Sequence, residues 1–192
     1  MNKPLKLILI AVLLVGLVAG AAALYNILGD QVDTNQLSTE PSGTEATENT
    51  KHYRPAPDFT VLDMDGNERK LSGFIGEPII VNFWASWCGP CQMEMPDFEA
   101  AYKQYGTEIH FLMVNCTTSS RETMDKAKAL IADEGYTFPV YFDTTGYASS
   151  VYGAYSIPLT FFIDAEGNVR GYAQGAIDAE TLQLGIDRIY TP

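Results

Sequence analysis

The sequence predicts an α/β domain in which helices flank a central mixed β-sheet. Two features of the chain lead to this fold class. Short apolar runs typical of buried strands alternate with longer segments whose apolar residues have helical spacing. Near the end of the chain, two strand-like runs lie close together across a glycine turn, which adds an antiparallel pair to a sheet that otherwise needs crossover helices. Ligand chemistry is then expected where the parallel strands end.

The chain has 192 residues and begins with an apolar segment, residues 1–29. Lys3 and Lys6 precede an uncharged run that is long enough to span a hydrocarbon core. We therefore expect a membrane anchor, with the N-terminus in the cytoplasm and the rest of the chain outside. A cleavable signal peptide is the alternative, because the small residues at 19–23 resemble a cleavage site. We favour the anchor because apolar character resumes at Leu24.

A polar stretch separates this segment from the rest of the chain. Residues 30–52 are rich in Thr, Ser, Glu and Gly, and they bury too little apolar surface to offset the entropy of ordering. We expect a flexible linker there and a single domain at residues 53–192. The formal net charge of −12 argues against nucleic acid as a partner.

A hairpin and two buried strands open the domain. Strand-like runs on either side of Asp63-Met64-Asp65-Gly66-Asn67 predict a hairpin over residues 58–71. The apolar residues 79–84 and 109–114 predict two buried strands.

Helices and one strand follow. Residues 91–105 are expected to form a helix kinked at Pro96, and residues 121–134 an amphipathic helix. Residues 138–142 predict a short strand and residues 145–152 a helix.

The chain closes with a hairpin and a helix. Residues 159–163 and 169–173 predict two strands joined across Glu166-Gly167. Residues 178–190 predict the last helix. Its residues expected to pack on the core are Leu182, Leu184, Ile186 and Ile189.

The run Cys88-Gly89-Pro90-Cys91 joins a pair of thiols to a helix start. It directly follows the strand at residues 79–84, and proline suits the first turn of a helix. Cys88 is therefore expected at a helix N-terminus, where unpaired N–H groups and the macrodipole favour a thiolate. Cys91 follows one turn later. This arrangement suits thiol–disulfide exchange.

Two other interpretations of the cysteine pair are weaker. A zinc site needs four ligands, and the chain has only one further cysteine, Cys116, and the isolated His52 and His110. A purely structural disulfide across so short a loop restricts the unfolded chain very little. No metal is therefore expected.

The segment from Trp84 to Cys91 resembles the thioredoxin fold, and its extension Gln92-Met93-Glu94-Met95-Pro96 resembles the TlpA/ResA-like group of membrane-anchored thiol–disulfide oxidoreductases. Further similar segments are residues 56–59, 137–140 and 152–164. The resemblance covers nearly all of residues 55–190. It implies a thioredoxin-like fold with an N-terminal β-hairpin extension and an N-terminal transmembrane helix.

The resemblance also implies roles for individual residues. Cys88 would be the exposed nucleophile, and Cys91 would resolve the mixed disulfide, so that the Cys88–Cys91 disulfide is the only redox group and no cofactor is needed. Glu94 matches an acidic residue that the group places near its cysteines, where a partly buried carboxyl would exchange protons with the thiols. Ordinary thioredoxins carry an aspartate where this chain has Asn82. Asparagine cannot accept a proton in that way, so the acid–base role shifts towards Glu94.

Five residues are candidates for contact with a substrate. Ile157 and Pro158 resemble the cis-proline loop of this fold, whose backbone pairs with an extended partner. Trp87 is expected to border the thiols as an exposed apolar contact, with a packing role as the alternative. Gly89 and Pro90 shape the helix start.

Cys116 is the third cysteine, and the chain has no further cysteine with which it could pair. It begins a polar loop after the strand at 109–114, and we interpret it as a small, partly buried residue. Intermolecular pairing or a regulatory thiol is the alternative.

Together these features predict an extracytoplasmic, monomeric oxidoreductase that reduces disulfides in specific proteins, such as apocytochrome c or cell-envelope proteins, and that a membrane electron donor re-reduces. The chain is expected to be related to the AhpC/TSA redoxins. A peroxiredoxin-like thiol peroxidase is one alternative, because the start of the domain also resembles that group. Its Pro-x-x-x-Thr-x-x-Cys pattern is missing, because Val81 and Ala85 occupy the proline and threonine positions. A non-catalytic binding or chaperone module is the other.

Overall fold

The computed structural model describes residues 53–118 and 121–191, together with the backbone of residues 37–38. The predicted anchor at residues 1–29 and most of the predicted linker lie outside these ranges. Within them, no helix combines the length and the apolar character that a membrane crossing requires.

One mixed sheet organises the described residues. In spatial order its strands run β1-β8-β7-β4-β5-β6-β2-β3. Their bounds in chain order are β1 Leu37–Ser38, β2 Thr60–Leu62, β3 Glu68–Lys70, β4 Ile79–Trp84, β5 His110–Asn115, β6 Val140–Phe142, β7 Leu159–Ile163 and β8 Val169–Gln174. β4 lies near the centre, parallel to β5 and antiparallel to β7, and β5 is parallel to β6. The predicted central mixed sheet is confirmed.

Besides a short 3-10 helix at Leu71–Phe74, four α-helices accompany the sheet in the described part of the chain. They are α1 Gly89–Tyr105, α2 Met124–Glu134, α3 Tyr147–Val151 and α4 Ala179–Ile189. Local signals set their ends. The side chains of Thr123 and Asp178 accept the first-turn N–H groups of α2 and α4, and Gly135 ends α2 in the left-handed conformation with φ of 70°.

The two faces of the sheet bury separate apolar clusters. Because side chains alternate along a strand, Ile80 and Trp84 of β4 face the cluster that contains residues of α1, α2 and α4. Ile79, Val81 and Phe83 face the other cluster, which contains residues of β2 and α3. Asn82 shares its face with Ile80 and Trp84, so the strand directs an amide towards α1.

Most predicted elements are confirmed, and two expectations, on Leu184 and on the linker, were wrong. The hairpin over residues 58–71 forms, and it extends the central sheet because β2 also pairs with β6. α1 runs as one helix that includes Pro96, and the kink expected there stays a prediction. Leu184 was expected to pack on the core, but it is 53% exposed, because only the face of α4 that carries Leu182, Ile186 and Ile189 is turned inward. In the predicted linker, Leu37 and Ser38 pair with β8 rather than remaining unstructured.

Candidate active site

The cysteine pair lies where β4 ends and α1 begins. Cys88 is the N-cap of α1 and has an extended backbone, with φ of −88° and ψ of 103°. Its sulfur accepts the N–H of Cys91 at 3.2 Å. This is one of the N–H groups that the helix itself cannot satisfy. Gly89 and Pro90 form the first, exposed turn. The helix start that the sequence predicts is confirmed, and it directs positive potential at Cys88.

The two cysteines form a disulfide with their Cα atoms 5.3 Å apart. Both residues are buried, and Cys88 is only 4% exposed. The resemblance implied an exposed nucleophile, so this expectation is wrong for the oxidised form. The cause lies in the facing loop, because the Ile157 carbonyl oxygen is 3.7 Å from the Cys88 sulfur.

That loop contains the predicted cis-proline. The Ile157–Pro158 peptide bond is cis, and β7 begins at the next residue. The Pro158 carbonyl accepts the N–H of Gly175 at 2.9 Å, which ties the loop to the residue after β8. Ile157 is partly buried and contacts both apolar clusters. Ile157, one of the five residues predicted to contact a substrate, therefore lies against the sulfur of Cys88, and Pro158 is the next residue of the same loop.

Trp87 forms part of the outer surface next to Cys88. It is 44% exposed, and the guanidinium carbon of Arg121 lies 4.3 Å from the centroid of its ring. This distance fits a cation–π contact. Of the two predicted roles of Trp87, exposure favours contact with a partner over core packing.

Glu94 lies one turn beyond Cys91 and is more deeply buried than expected, at 2% exposure. Its carboxyl accepts the side-chain amide of Asn82 at 2.8 Å and the N–H of Ile177 at 3.0 Å. Burial raises the pKa of Glu94 to about 8, and the two hydrogen bonds only partly oppose that rise. At neutral pH this carboxyl is therefore mostly protonated and able to exchange a proton.

Asn82 connects this carboxyl to the sheet. Its amide nitrogen also contacts the Thr160 hydroxyl oxygen at 3.0 Å, so β4, β7 and α1 meet at one side chain. Its Oδ1 atom is buried and has no hydrogen-bond partner among the described residues. An aspartate here would place a second carboxyl beside Glu94. The asparagine instead provides a donor to it.

Comparison with known proteins identifies the family. Residues 53–172 match the AhpC/TSA family. The ResA thiol-disulfide oxidoreductase of Geobacillus kaustophilus is 33% identical over 137 residues, which cover 70% of this chain and 75% of that protein. The chain belongs to the AhpC/TSA family and is a ResA-like thiol–disulfide oxidoreductase of the thioredoxin superfamily.

Solved structures agree with this assignment. A putative thiol:disulfide interchange protein DsbE from Chlorobium tepidum is 30% identical with a TM-score of 0.62, covering 70% of this chain and 94% of that one. The exposed lipoprotein thioredoxin Etrx1 from Streptococcus pneumoniae is 27% identical with a TM-score of 0.62, covering 69% and 100%. The ResA-like chain therefore has a thioredoxin-like α/β fold, and it is an enzyme rather than a non-catalytic module.

The third cysteine of the ResA-like enzyme is a free, partly buried thiol. The Ser149 hydroxyl lies 3.5 Å from the Cys116 sulfur. Burial raises the pKa of Cys116 to about 11, with Asp143 and Glu122 adding to the rise. Such a thiol is a poor nucleophile, which agrees with the interpretation of Cys116 as a packing residue.

Some residues near the disulfide were not identified from the sequence. Thr160 and the Ile177 N–H belong to this group, as do Arg121 and Glu122, which contact the turn before Cys88. The sequence predicted Glu122 inside a helix beginning at residue 121, whereas the structure begins α2 at Met124 and leaves Glu122 in the preceding loop. An acidic residue at that position is ordinarily exposed, and nothing local indicates that it is buried.

Proposed function

We propose that this ResA-like enzyme acts outside the cytoplasm, where it reduces disulfides of selected proteins through Cys88 and Cys91. The observation that carries the proposal is the position of the Cys88 sulfur, which caps α1 and lies 3.7 Å from the Ile157 carbonyl oxygen beside the cis-proline. The helix start stabilises a thiolate, and the loop offers backbone groups to an extended substrate.

The reaction begins with the reduced enzyme. The Cys88 thiolate attacks one sulfur of a substrate disulfide, an S–S bond forms between Cys88 and that sulfur, and the other substrate sulfur leaves as a thiolate that takes up a proton. Cys91 then loses its proton and attacks Cys88. The mixed disulfide breaks, the second substrate sulfur leaves and is protonated, and the Cys88–Cys91 disulfide forms. The substrate gains two electrons from the enzyme and two protons, one released by Cys91 and one taken up from solvent.

Glu94 is proposed as the group that exchanges protons with the pair. It lies one helical turn beyond Cys91, and its pKa of about 8 lets both protonation states be populated near neutral pH. Asn82 cannot titrate, so it holds the carboxyl in place without competing for the proton.

Trp87, Gly89, Pro90, Ile157 and Pro158 are proposed to contact the substrate. Trp87 and the first turn of α1 are exposed on one side of Cys88, and the Ile157–Pro158 loop lies over its sulfur. A substrate segment lying between them would bring its disulfide to Cys88 without unfolding the domain.

The cellular setting is also a proposal. Residues 1–29 have the composition of a membrane anchor with the domain outside, and the pneumococcal relative is described as an exposed lipoprotein. We propose apocytochrome c or cell-envelope proteins as substrates and a membrane electron donor for re-reduction, because cytosolic thioredoxin cannot reach the site. The enzyme is proposed to act as a monomer with no cofactor besides its disulfide.

Insulin reduction with dithiothreitol as electron donor tests the reductase activity. The wild-type enzyme should accelerate precipitation of the insulin B chain, Cys88→Ser should abolish the acceleration, and Cys116→Ser should preserve it. Wild-type activity no greater than that of Cys88→Ser would overturn the proposal.

A further inference from the structure

A second carboxyl, that of Glu122, is buried beside the turn that precedes the cysteine pair. Glu122 is in the loop between β5 and α2, and it is 2% exposed. The exchange reaction described above does not use it. A buried carboxyl is costly unless its oxygens are hydrogen-bonded, so its partners indicate what it does there.

The partners of Glu122 lie at the ends of two adjacent parallel strands. Its Oε1 accepts the backbone N–H of Ser86 at 3.0 Å and the side-chain amide of Asn115 at 2.7 Å. Its Oε2 accepts the Ser86 hydroxyl at 2.7 Å. In all three hydrogen bonds the carboxyl is the acceptor, as an ionised carboxylate must be, since it has no proton to donate. Glu122 therefore clamps Ser86, two residues after the end of β4, to Asn115, the last residue of β5.

This clamp acts on the turn that carries Cys88. Ser86 is two residues before Cys88, and the Cys88 N–H donates to the Ala85 carbonyl at 3.1 Å, which closes the turn. Because Glu122 is bonded to Ser86, its carboxyl lies within about 13 Å of the Cys88 sulfur even if the backbone from Ser86 to Cys88 is fully extended. Arg121 covers Trp87 from the same loop, so consecutive residues hold both Ser86 and Trp87.

The charge of Glu122 also bears on Cys88. A carboxylate about 10 Å from a thiol raises the pKa of that thiol by a fraction of a unit up to roughly one unit, depending on the local dielectric constant. Other ionisable groups lie in the same region. They are Glu94 on α1, Arg121 beside Trp87, and Asp143 and Cys116, the latter in electrostatic contact with Glu122. Among them, Glu122 is the one that is bonded directly to the turn.

We propose that Glu122 is a positioning residue of the redox site, which fixes the Ser86–Cys88 turn and whose negative charge opposes formation of the Cys88 thiolate. The helix start and Glu122 thus act in opposite directions on the same sulfur. This inference rests on the proposed role of Cys88 as the nucleophile.

Two substitutions separate the clamp from the charge. Glu122→Gln removes the charge and keeps the geometry, because its amide oxygen can accept from Ser86 and Asn115 while its amide nitrogen donates to the Ser86 hydroxyl. Glu122→Ala removes both. Glu99→Gln is a matched control, since Glu99 is also a buried carboxyl that accepts from backbone and hydroxyl groups, at Thr137 and Phe138. It lies on α1 about 16 Å along the helix from Cys88.

The experiment measures the rate of Cys88 alkylation in the reduced full-length enzyme from pH 5 to 9, with the site of modification assigned by mass spectrometry. Glu122→Gln should lower the pKa of Cys88 by roughly 0.3 to 1 pH unit, and the reduction potential should become less negative because the reduced form gains stability. Glu99→Gln should match the wild type in both. Glu122→Ala should lower kcat/KM for insulin reduction at least about threefold, while Glu122→Gln retains it.

A Cys88 pKa in Glu122→Gln that equals or exceeds the wild-type value would overturn the role of the charge, whether or not the alanine variant folds. A kcat/KM loss as large in Glu122→Gln as in a folded Glu122→Ala variant would overturn the separate role of the clamp. Failure of the proposed function has a different signature, because insulin reduction by the wild type would then be no faster than that by Cys88→Ser.

Discussion

The side-chain amide of Asn82 donates to the Glu94 carboxyl across 2.8 Å, which joins the central strand β4 to the helix that carries both cysteines. The hydrogen bond favours the ionised form of Glu94, whereas burial favours the neutral form and has the larger effect. The balance leaves a carboxyl that titrates near neutral pH behind the disulfide.

Removing the Asn82 side-chain amide should raise the pKa of Glu94 further. In Asn82→Ala only the Ile177 N–H remains to stabilise the carboxylate, so the pKa of Glu94 should rise above about 8. Carbon-13 NMR of labelled glutamate side chains across pH would measure it. Thr160→Val is the control. It removes the other hydrogen-bond partner of the Asn82 amide and leaves both hydrogen bonds of the Glu94 carboxyl in place, so the pKa of Glu94 should stay near the wild-type value. A Glu94 pKa that falls in Asn82→Ala would contradict the account.

The pKa of Glu94 also predicts how stability depends on pH. Because burial raises the folded-state pKa from 4.5 to about 8, the folded protein retains a proton that the unfolded chain releases between these values. The contribution of Glu94 to the free energy of unfolding is therefore complete below about pH 4.5 and declines as pH rises to 8. Between pH 4.5 and 9 the wild type should lose roughly 3–5 kcal/mol relative to Glu94→Gln.

Urea denaturation at a series of pH values would measure this difference, and Glu99 provides a control of opposite sign. Its hydrogen bonds with Thr137, Lys103 and Phe138 outweigh burial and lower its pKa. Glu99→Gln should therefore lose stability relative to the wild type at neutral pH, and the loss should shrink as the pH falls through the range where Glu99 titrates. A Glu94→Gln difference that does not change with pH would rule out the buried, titrating carboxyl.

The parts of the site predicted from the sequence are those set by local geometry. A strand followed by a short turn and Pro90 defines the helix start, and helical spacing puts Glu94 one turn beyond Cys91. Packing between distant segments was not predictable in this way. The Ile177 N–H is 83 residues from Glu94, and Ser86 is 36 residues from Glu122, so no local pattern relates them.

The same distinction explains the expectations that were wrong. Leu184 fits the apolar composition of α4, but its exposure depends on which helix face the sheet covers. The burial of Cys88 depends on a loop 69 residues away. Sequence periodicity defines an element, and its surroundings are set by the rest of the fold.

The thiol of Cys116 should react slowly with alkylating agents. With its pKa raised to about 11, its thiolate fraction at pH 8 should be roughly 100-fold below that of an ordinary cysteine. Brief treatment of the reduced enzyme with iodoacetamide at pH 8 should modify Cys88 and leave Cys116 unmodified in mass spectra. Modification of Cys116 at a rate similar to that of Cys88 would favour the regulatory-thiol alternative.

Helix α4 is held against β7 at a glycine. A Cβ atom added at Gly185 would lie 2.2 Å from the ring of Phe162, so the ring or the helix must move. Gly185→Ala should therefore destabilise the fold by about 1–3 kcal/mol, despite the better helix propensity of alanine. Urea denaturation would measure the loss, with Leu184→Ala as the neighbouring control that stays within about 0.5 kcal/mol. A more stable Gly185→Ala variant would show that the contact is looser than described.

The central claim is that Cys88 attacks and Cys91 resolves, and trapping the intermediate tests it most directly. Reduced Cys91→Ala should be incubated with oxidised insulin, quenched with acid and examined by mass spectrometry, in parallel with Cys88→Ala. A stable mixed disulfide should form on Cys88 in the first variant, with little or none on Cys91 in the second. Accumulation on Cys91 in the absence of Cys88, at a rate equal to or above that on Cys88, would contradict it.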